Sequence, residues 1–279
     1  MIRRILLPLD PSAYSEAAMQ YAVNIAKRQQ SEIEGLTVID IPDIEDNVTT
    51  FVPLPRGADL NIEHENDMIT DARKKAETLL NSFGKLCRSE HIFCTQRQYE
   101  GRPENVILKE SSFFDLVVIG MRTYFHFETA DKSGHSLETL LNHTITPILA
   151  VPENFKRIKK VLIAYDGSMP STRALQRFVH MSINSDYEIT LLMRNDDEEV
   201  AMNEMQKVTK YIHSYGNNIS VSRVWTDRNL IKTIEENYIN NVDVVVCGMH
   251  ARNAIEKFVI GTLPKYLIEK NQVATFICQ

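Results

Sequence analysis

Glycine is scarce in this sequence, at 10 residues in 279, so each remaining glycine is expected to hold a backbone position that other residues could not. Tryptophan occurs once, at Trp225, and a single ring makes no stacking platform for nucleic acid. The four cysteines (Cys87, Cys94, Cys247 and Cys278) follow no secreted-framework spacing, so reduced thiols and a cytoplasmic location are expected. Positive charge is not in excess. Lys+Arg 31 against Asp+Glu 37 leave a net charge of -6, which excludes a sequence-wide basic surface for nucleic acid or anionic lipid. No apolar run approaches the roughly 18 residues that cross a bilayer, and no basic-then-apolar leader opens the chain, so no membrane partner is expected. A Gly-Lys-Ser/Thr phosphate loop is also missing. What is present is an ordinary globular composition, 43% hydrophobic and 24% charged, with length enough for one large domain or two small ones.

A repeat organises the chain. Asp10-Pro11-Ser12 runs into Ser15 after the apolar stretch Ile5–Leu9, and Asp166-Gly167-Ser168 runs into Ser171 after Val161–Tyr165, an offset of 156 residues. Phe114–Arg122 matches Val242–His250 at an offset of 128, so the second copy is shorter, and most of the difference corresponds to residues 41–66. The division is expected at 1–154 and 155–279. Ten short apolar or alternating runs read as strands. These are Ile5–Leu9, Gly35–Ile39, Ile92–Tyr99, Leu116–Ile119 and Ile148–Val151 in the first copy. In the second they are Val161–Tyr165, Ile189–Met193, Ile219–Trp225, Val244–Cys247 and Thr275–Cys278. Helical spacing lies between them, as in Ala17, Ala18, Tyr21 and Ala22, or Ala174, Leu175, Phe178 and Val179. Strand-helix alternation with unalternating apolar strands predicts an α/β fold: two doubly wound parallel-sheet domains in tandem. Pro8 conflicts with a central first strand, because it cannot donate to a ladder. Residues 41–66, with Pro42, Pro53 and Pro55, read as a long surface connection.

Ligands of such sheets bind beyond the carboxyl ends of the strands, at the switch of strand order. In the second copy Gly248 leaves a strand, and Gly261-Thr262-Leu263-Pro264 opens a helical stretch, with Pro264 suited to its first turn. Facing each other, these elements would turn amide groups and a helix dipole toward one anion.

The spacing Gly248-x2-Ala251-x9-Gly261-Thr262, the repeated Asp-x-Ser-x-x-Ser turn and the paired fourth strands together resemble the universal stress protein family, in its tandem two-domain form, over essentially the whole chain. The family's loop reads Gly-x2-Gly-x9-Gly-Ser/Thr, and its domains have a flavodoxin-like, adenine nucleotide alpha hydrolase-like fold. The resemblance implies a stress-response regulatory module, not an enzyme, binding ATP, ADP or AMP with any Mg²⁺ brought by the nucleotide; slow hydrolysis is left open. By position, Asp166 would hold the adenine or ribose edge beside Ala164 and Tyr165, and Met193 would line the base. Gly248, Ala251, Gly261, Thr262 and Leu263 would contact ribose and phosphates, with His250 nearby. Ala251 departs from the family's glycine; at a position needing φ > 0 its methyl costs roughly 1 kcal/mol.

The first copy is more eroded. Gly120 is kept, Thr123 stands where glycine should be, and Gly134 is followed by His135 and Ser136. Pro8, Asp10 and Ile39 would frame a degenerate site, and Tyr124–Glu128 is bulky, so a filled cleft is expected there. Family domains pair through their last strands, which would set Ile148–Val151 against Thr275–Cys278 in an internal pseudo-dimer, a further homodimer staying open. The alternative function is an interaction or structural protein whose clefts are filled or hold an apolar ligand. Other signals are weaker. Cys87-x3-His91-x2-Cys94 lacks a fourth ligand, and a strand from Ile92 would part His91 from Cys94, so no metal is expected. Ser136 and His135 form no nucleophile elbow. Asp196–Glu199 reads as the solvated start of a helix.

Overall fold

The computed structural model describes residues 2–45, 58–125, 136–183, 185–216, 219–249 and 261–279, the side chains of 58–64, 136 and 138 apart. Ten strands form one sheet. In the first half these are β1 (Arg4–Pro8), β2 (Glu32–Ile39), β3 (Cys94–Glu100), β4 (Leu116–Gly120) and β5 (Ile148–Val151). The second half supplies β6 (Lys160–Tyr165), β7 (Glu188–Arg194), β8 (Ser220–Thr226), β9 (Val244–Gly248) and β10 (Ala274–Cys278). The order is β3-β2-β1-β4-β5-β10-β9-β6-β7-β8. Every neighbouring pair is parallel except β5 with β10. Each half thus has its switch of strand order between its first and fourth strands, and each expected strand is found.

Helices cover both faces: α1 (Tyr14–Gln29), α2 (Ala58–Ser89), α3 (Pro103–Ser111) and α4 (Ser136–His143), then α5 (Met169–Met181), α6 (Glu198–His213), α7 (Leu230–Asn237) and α8 (Thr262–Lys270). Strand parity sorts the core. On one face Ile5, Leu7, Ile163, Val246 and Phe276 pack under α1, α2, α5 and α6; on the other Leu6, Val117, Leu162, Val245 and Ile277 pack under α3, α4, α7 and α8. Both clusters run across the two halves without a break. Gly35 lets α2 come close, since a Cβ there would lie 2.6 Å from the Phe83 ring.

The pairing of halves follows from the registers. Gly120 pairs with Val151 and Gly248 with Cys278, so Leu149 and Phe276 are equivalent positions. They face each other in the β5–β10 ladder, and the pseudo-two-fold axis passes between them. Each strand thereby covers an edge that would otherwise be open to other chains. Side chains tie the halves further. The Gln29 amide donates to the carbonyls of Met181 and Ile183 at 2.9 and 3.0 Å, and Gln279 donates to the Leu141 carbonyl at 2.8 Å. Phe155, in the connection, packs edge-on against Tyr21 with ring centroids 4.8 Å apart.

The structure resolves the Pro8 conflict. Leu9 N–H donates to the Leu36 carbonyl on the β2 side, so the Pro8 nitrogen faces β4, where pairing already stops at Leu6↔Val117. Two expectations need correction. Residues 41–66 are not one long loop: 41–45 form a helical turn, and α2 begins at Ala58, with 46–57 outside the described residues. Strand β3 starts at Cys94 rather than Ile92, because His91 takes φ 57° and the chain is still turning there.

Candidate functional site

The aspartate turns after β1 and β6 share a sequence pattern but not a geometry. After β6, Gly167 takes φ +75°, and Ser168 Oγ accepts from Ser171 N–H at 3.3 Å, capping α5. Asp166 Oδ1 accepts from Ser168 N–H at 3.0 Å, and the carboxylate stays exposed. After β1 the glycine is replaced by Pro11, whose ring holds φ near −65°, so the chain leaves the strand differently. Here both serines turn onto Asp10. Its Oδ1 accepts from the hydroxyls of Ser12 and Ser15 at 2.6 and 2.9 Å, and its Oδ2 accepts from the N–H groups of Tyr124 and Phe125 at 2.9 and 3.4 Å. Asp10 is fully buried, and so is Phe125, which enters the core cluster under α3 and α4. The loop after β4 therefore supplies the donors that a ligand would bring to this carboxylate.

In the second half a cavity of about 430 Å³ lies at the switch point. The β6–β9 pairing stops at Ile163↔Val246, and the next residues, Ala164 and Cys247, form part of its floor with Gly248. Its walls come from helix starts: Ser171 of α5, Asn229 to Ile231 at α7, and Gly261 to Pro264 at α8. Each α-helix leaves its first N–H groups without intrahelical partners. Ser168 serves that need in α5. Asn229 serves it in α7, where Oδ1 accepts from Ile231 and Lys232 N–H at 3.0 and 3.2 Å. At α8 the cap is Gly261, with no side chain to accept, and the first helical bond runs from Lys265 N–H to the Gly261 carbonyl. The amides of Thr262 and Leu263 thus stand at the cavity wall with the positive end of a helix dipole and an exposed threonine hydroxyl.

Gly248 is needed for space rather than for an unusual φ. A Cβ there would lie 2.4 Å from both Pro170 C and Ser171 N, so β9 and the first turn of α5 could not approach as they do. Gly120 repeats the arrangement against Tyr14, at 2.4 Å from its Cβ.

Of the residues expected at this site, Ala164, Asp166, Gly248, Gly261, Thr262 and Leu263 line one cavity. Tyr165 and Met193 are placed otherwise: parity turns their side chains into the core cluster under α5 and α6, on the far face of the sheet. The residue of β7 that reaches the cavity is Arg194, one position on. Ala251 and His250 lie outside the described residues, as do Gly134 and His135; Ser136 opens α4. In the first half Pro8, Gly120 and Thr123 are buried at the strand ends, but Ile39 packs with Ile44, Ala72 and Ala76 instead of framing a cleft. Sequence reasoning missed Arg194, Asn229, Leu230, Ile231 and Cys247. Asn229 had a readable signal, an amide side chain directly before an apolar helical run, whereas Arg194 had none without the strand register.

The tempting motifs resolve into local structure. His91 Nδ1 lies 3.2 Å from the Arg88 carbonyl on the surface, while Cys87 is buried with its thiol pushed up by burial and by the neighbouring Cys94. Asp197 caps α6, its Oδ1 accepting from Glu199 and Val200 N–H at 2.9 and 3.1 Å. Cys247, on the cavity floor, has its thiol pushed up to about 12 by burial.

Fold and cleft together define a tandem of doubly wound α/β domains closed into a pseudo-dimer, with a switch-point cavity in the second. Comparison with known proteins narrows this. The sequence model of the Universal stress protein family matches residues 1–152, and the chain belongs to that family. It is 23% identical, over 98% of both chains, to the Universal stress protein Slr1230 of Synechocystis sp.. The crystal structure of a universal stress protein from Archaeoglobus fulgidus DSM 4304 matches with a TM-score of 0.69 at 20% identity, covering 99% of this chain and 98% of that one. PA1789 from Pseudomonas aeruginosa PAO1, of unknown function, matches with a TM-score of 0.59 at 14% identity, covering 99% and 92%. These two likenesses establish the fold. Among the described residues, no helix is long and apolar enough to cross a membrane.

Proposed function

We propose that this universal stress protein is a cytoplasmic regulatory module, not an enzyme, whose second domain (155–279) binds a nucleotide while its first (1–154) does not. Adenine nucleotides are the class the family resemblance implies. The observation that carries the reading is the α8 start: among the described residues three helix N-termini border the cavity, and Ser168 and Asn229 cap two of them while Gly261, at α8, has no side chain to do so. Phosphates would rest on the Thr262 and Leu263 amides and the Thr262 hydroxyl, with Gly248 beneath. Asp166 would accept from ribose hydroxyls near Ala164, and the strand ends at Tyr165 and Met193 contribute backbone only. A triphosphate would bring its own Mg²⁺. In the first domain the Tyr124 and Phe125 amides already occupy Asp10, which supports the assignment of that cleft as filled.

That same plug favours a second reading, an interaction protein with no nucleotide in either half. A thermal shift with ATP and Mg²⁺ separates the two. Nucleotide at 100 times its dissociation constant adds about 2.7 kcal/mol. Loss of the shift in Gly261→Asp, which sets a carboxylate at the helix start, supports the nucleotide module. No shift at millimolar ATP or any other nucleotide, with no nucleotide carried through purification, refutes it.

A further inference from the structure

We propose that Arg194 sets the base preference of the second-domain cleft and selects a 6-oxopurine nucleotide (guanine or hypoxanthine) over an adenine nucleotide. The inference rests on the nucleotide reading above and specifies its ligand. Pro8 pairs with Leu36 and Ala164 with Leu192, so β2 and β7 are equivalent at an offset of 156 and Arg194 is the counterpart of Val38. Val38 is fully buried and apolar; Arg194 is half-exposed and lines the cavity. A guanidinium has replaced a hydrocarbon wall at one position of a duplicated cleft.

Its place relative to α8 decides what it meets. The strand order is β9-β6-β7, and strands lie about 4.8 Å apart, so the end of β7 is roughly 10 Å from the end of β9. A nucleotide with its phosphates on the Thr262 and Leu263 amides crosses Gly248 and Ala164 and brings its base to Arg194, between the half-buried Leu230 and Ile231. A guanidinium carries donors only. The N7/O6 edge of guanine or hypoxanthine offers two acceptors in the spacing of its fork, whereas adenine presents an amine donor at C6. The ion pair that Arg194 makes, with Asp196 Oδ1 at 3.4 Å, involves a carboxylate 91% exposed and is worth at most about 1 kcal/mol, so a base can recruit the arginine.

The test is calorimetric titration of the full chain with ATP, GTP and ITP, each with Mg²⁺, repeated in Arg194→Val. Valine stands at the equivalent position of the first domain, so the fold accepts it there. GTP and ITP binding about tenfold tighter than ATP, falling to within about twofold in Arg194→Val with ATP affinity kept, is the expected result. ATP binding as tightly as GTP to the unsubstituted protein, with loss in Gly261→Asp, overturns the base assignment and leaves the nucleotide reading standing. Equal weakening of all three by Arg194→Val means the arginine meets phosphate and likewise overturns it. Binding of none of the three overturns both.

Discussion

Gly248→Ala tests the contact that shapes the cleft. The new Cβ would sit 2.4 Å from Pro170 C and Ser171 N and 2.7 Å from Pro170 O. Carbon atoms rest about 3.5–4.0 Å apart, so the start of α5 must retreat by about 1 Å. The obstacle is helix backbone and not the tip of a flexible side chain, which puts the cost near the upper end of the roughly 1–3 kcal/mol typical of overpacking. Retreat also drags the buried face of α5, where Phe178 stacks on Tyr187 and meets Phe276 of β10 edge-on. At about 2–4 °C per kcal/mol for a chain of this order, the melting temperature should fall by roughly 6–12 °C. The nucleotide affinity proposed for the cavity should fall with it, because Ser171 is part of the cavity wall. Gly167→Ala supplies the contrast. Its φ is +75° and nothing lies within 4 Å of the added methyl, so only backbone strain of about 1 kcal/mol is expected. Urea titrations and calorimetric melts of both variants give the answer. A Gly248→Ala protein within 0.5 kcal/mol of the parent, or less destabilised than Gly167→Ala, would refute the close-approach argument.

The two aspartates should respond in opposite ways. Asp10→Ala strips a buried carboxylate from hydroxyl and amide donors, and should cost about 3 kcal/mol in urea unfolding; Asp166→Ala should cost less than about 1 kcal/mol and instead weaken nucleotide binding. Equal costs would contradict the asymmetry. Alkaline pH should expose the buried thiol of Cys247. Its folded value of about 12 lies above the ordinary 9.0, so the folded state keeps a proton that the unfolded chain loses. The stability this contributes is present below pH 9 and is lost as pH rises toward 12, at up to about 1.4 kcal/mol per pH unit. Cys247→Ala should flatten that limb of an alkaline denaturation curve, and an unchanged slope would count against burial as the cause.

Periodicity and repetition were enough to read ten strands, the alternation of helices with them, the duplication and the approximate place of the cleft, because each is a local or tandem property of the chain. The helix start at Gly261 was legible for the same reason: a glycine, a threonine and a proline in that order describe a single turn. The length of α2 was not, since Pro53, Pro55 and Gly57 just ahead of it gave no sign that a helix of 32 residues begins at Ala58. Which side chains reach the cleft depended on strand parity and register. Met193 and Arg194 are adjacent in sequence and lie on opposite faces of the sheet, and only the pairing of β6 with β7 assigns each to its side.

The sequence by itself determined the architecture and the chemistry available at the strand ends, because hydrophobic spacing and turn residues act over a few positions. The tertiary structure alone decided which of two like turns faces a cavity. Asp10 and Asp166 share one motif, yet the first is buried under the amides of Tyr124 and Phe125, more than a hundred residues away, and the second is exposed and lines the cavity that α8 also borders. Such long-range occupancy comes from loop packing across the switch point, where no local pattern in the chain records the outcome.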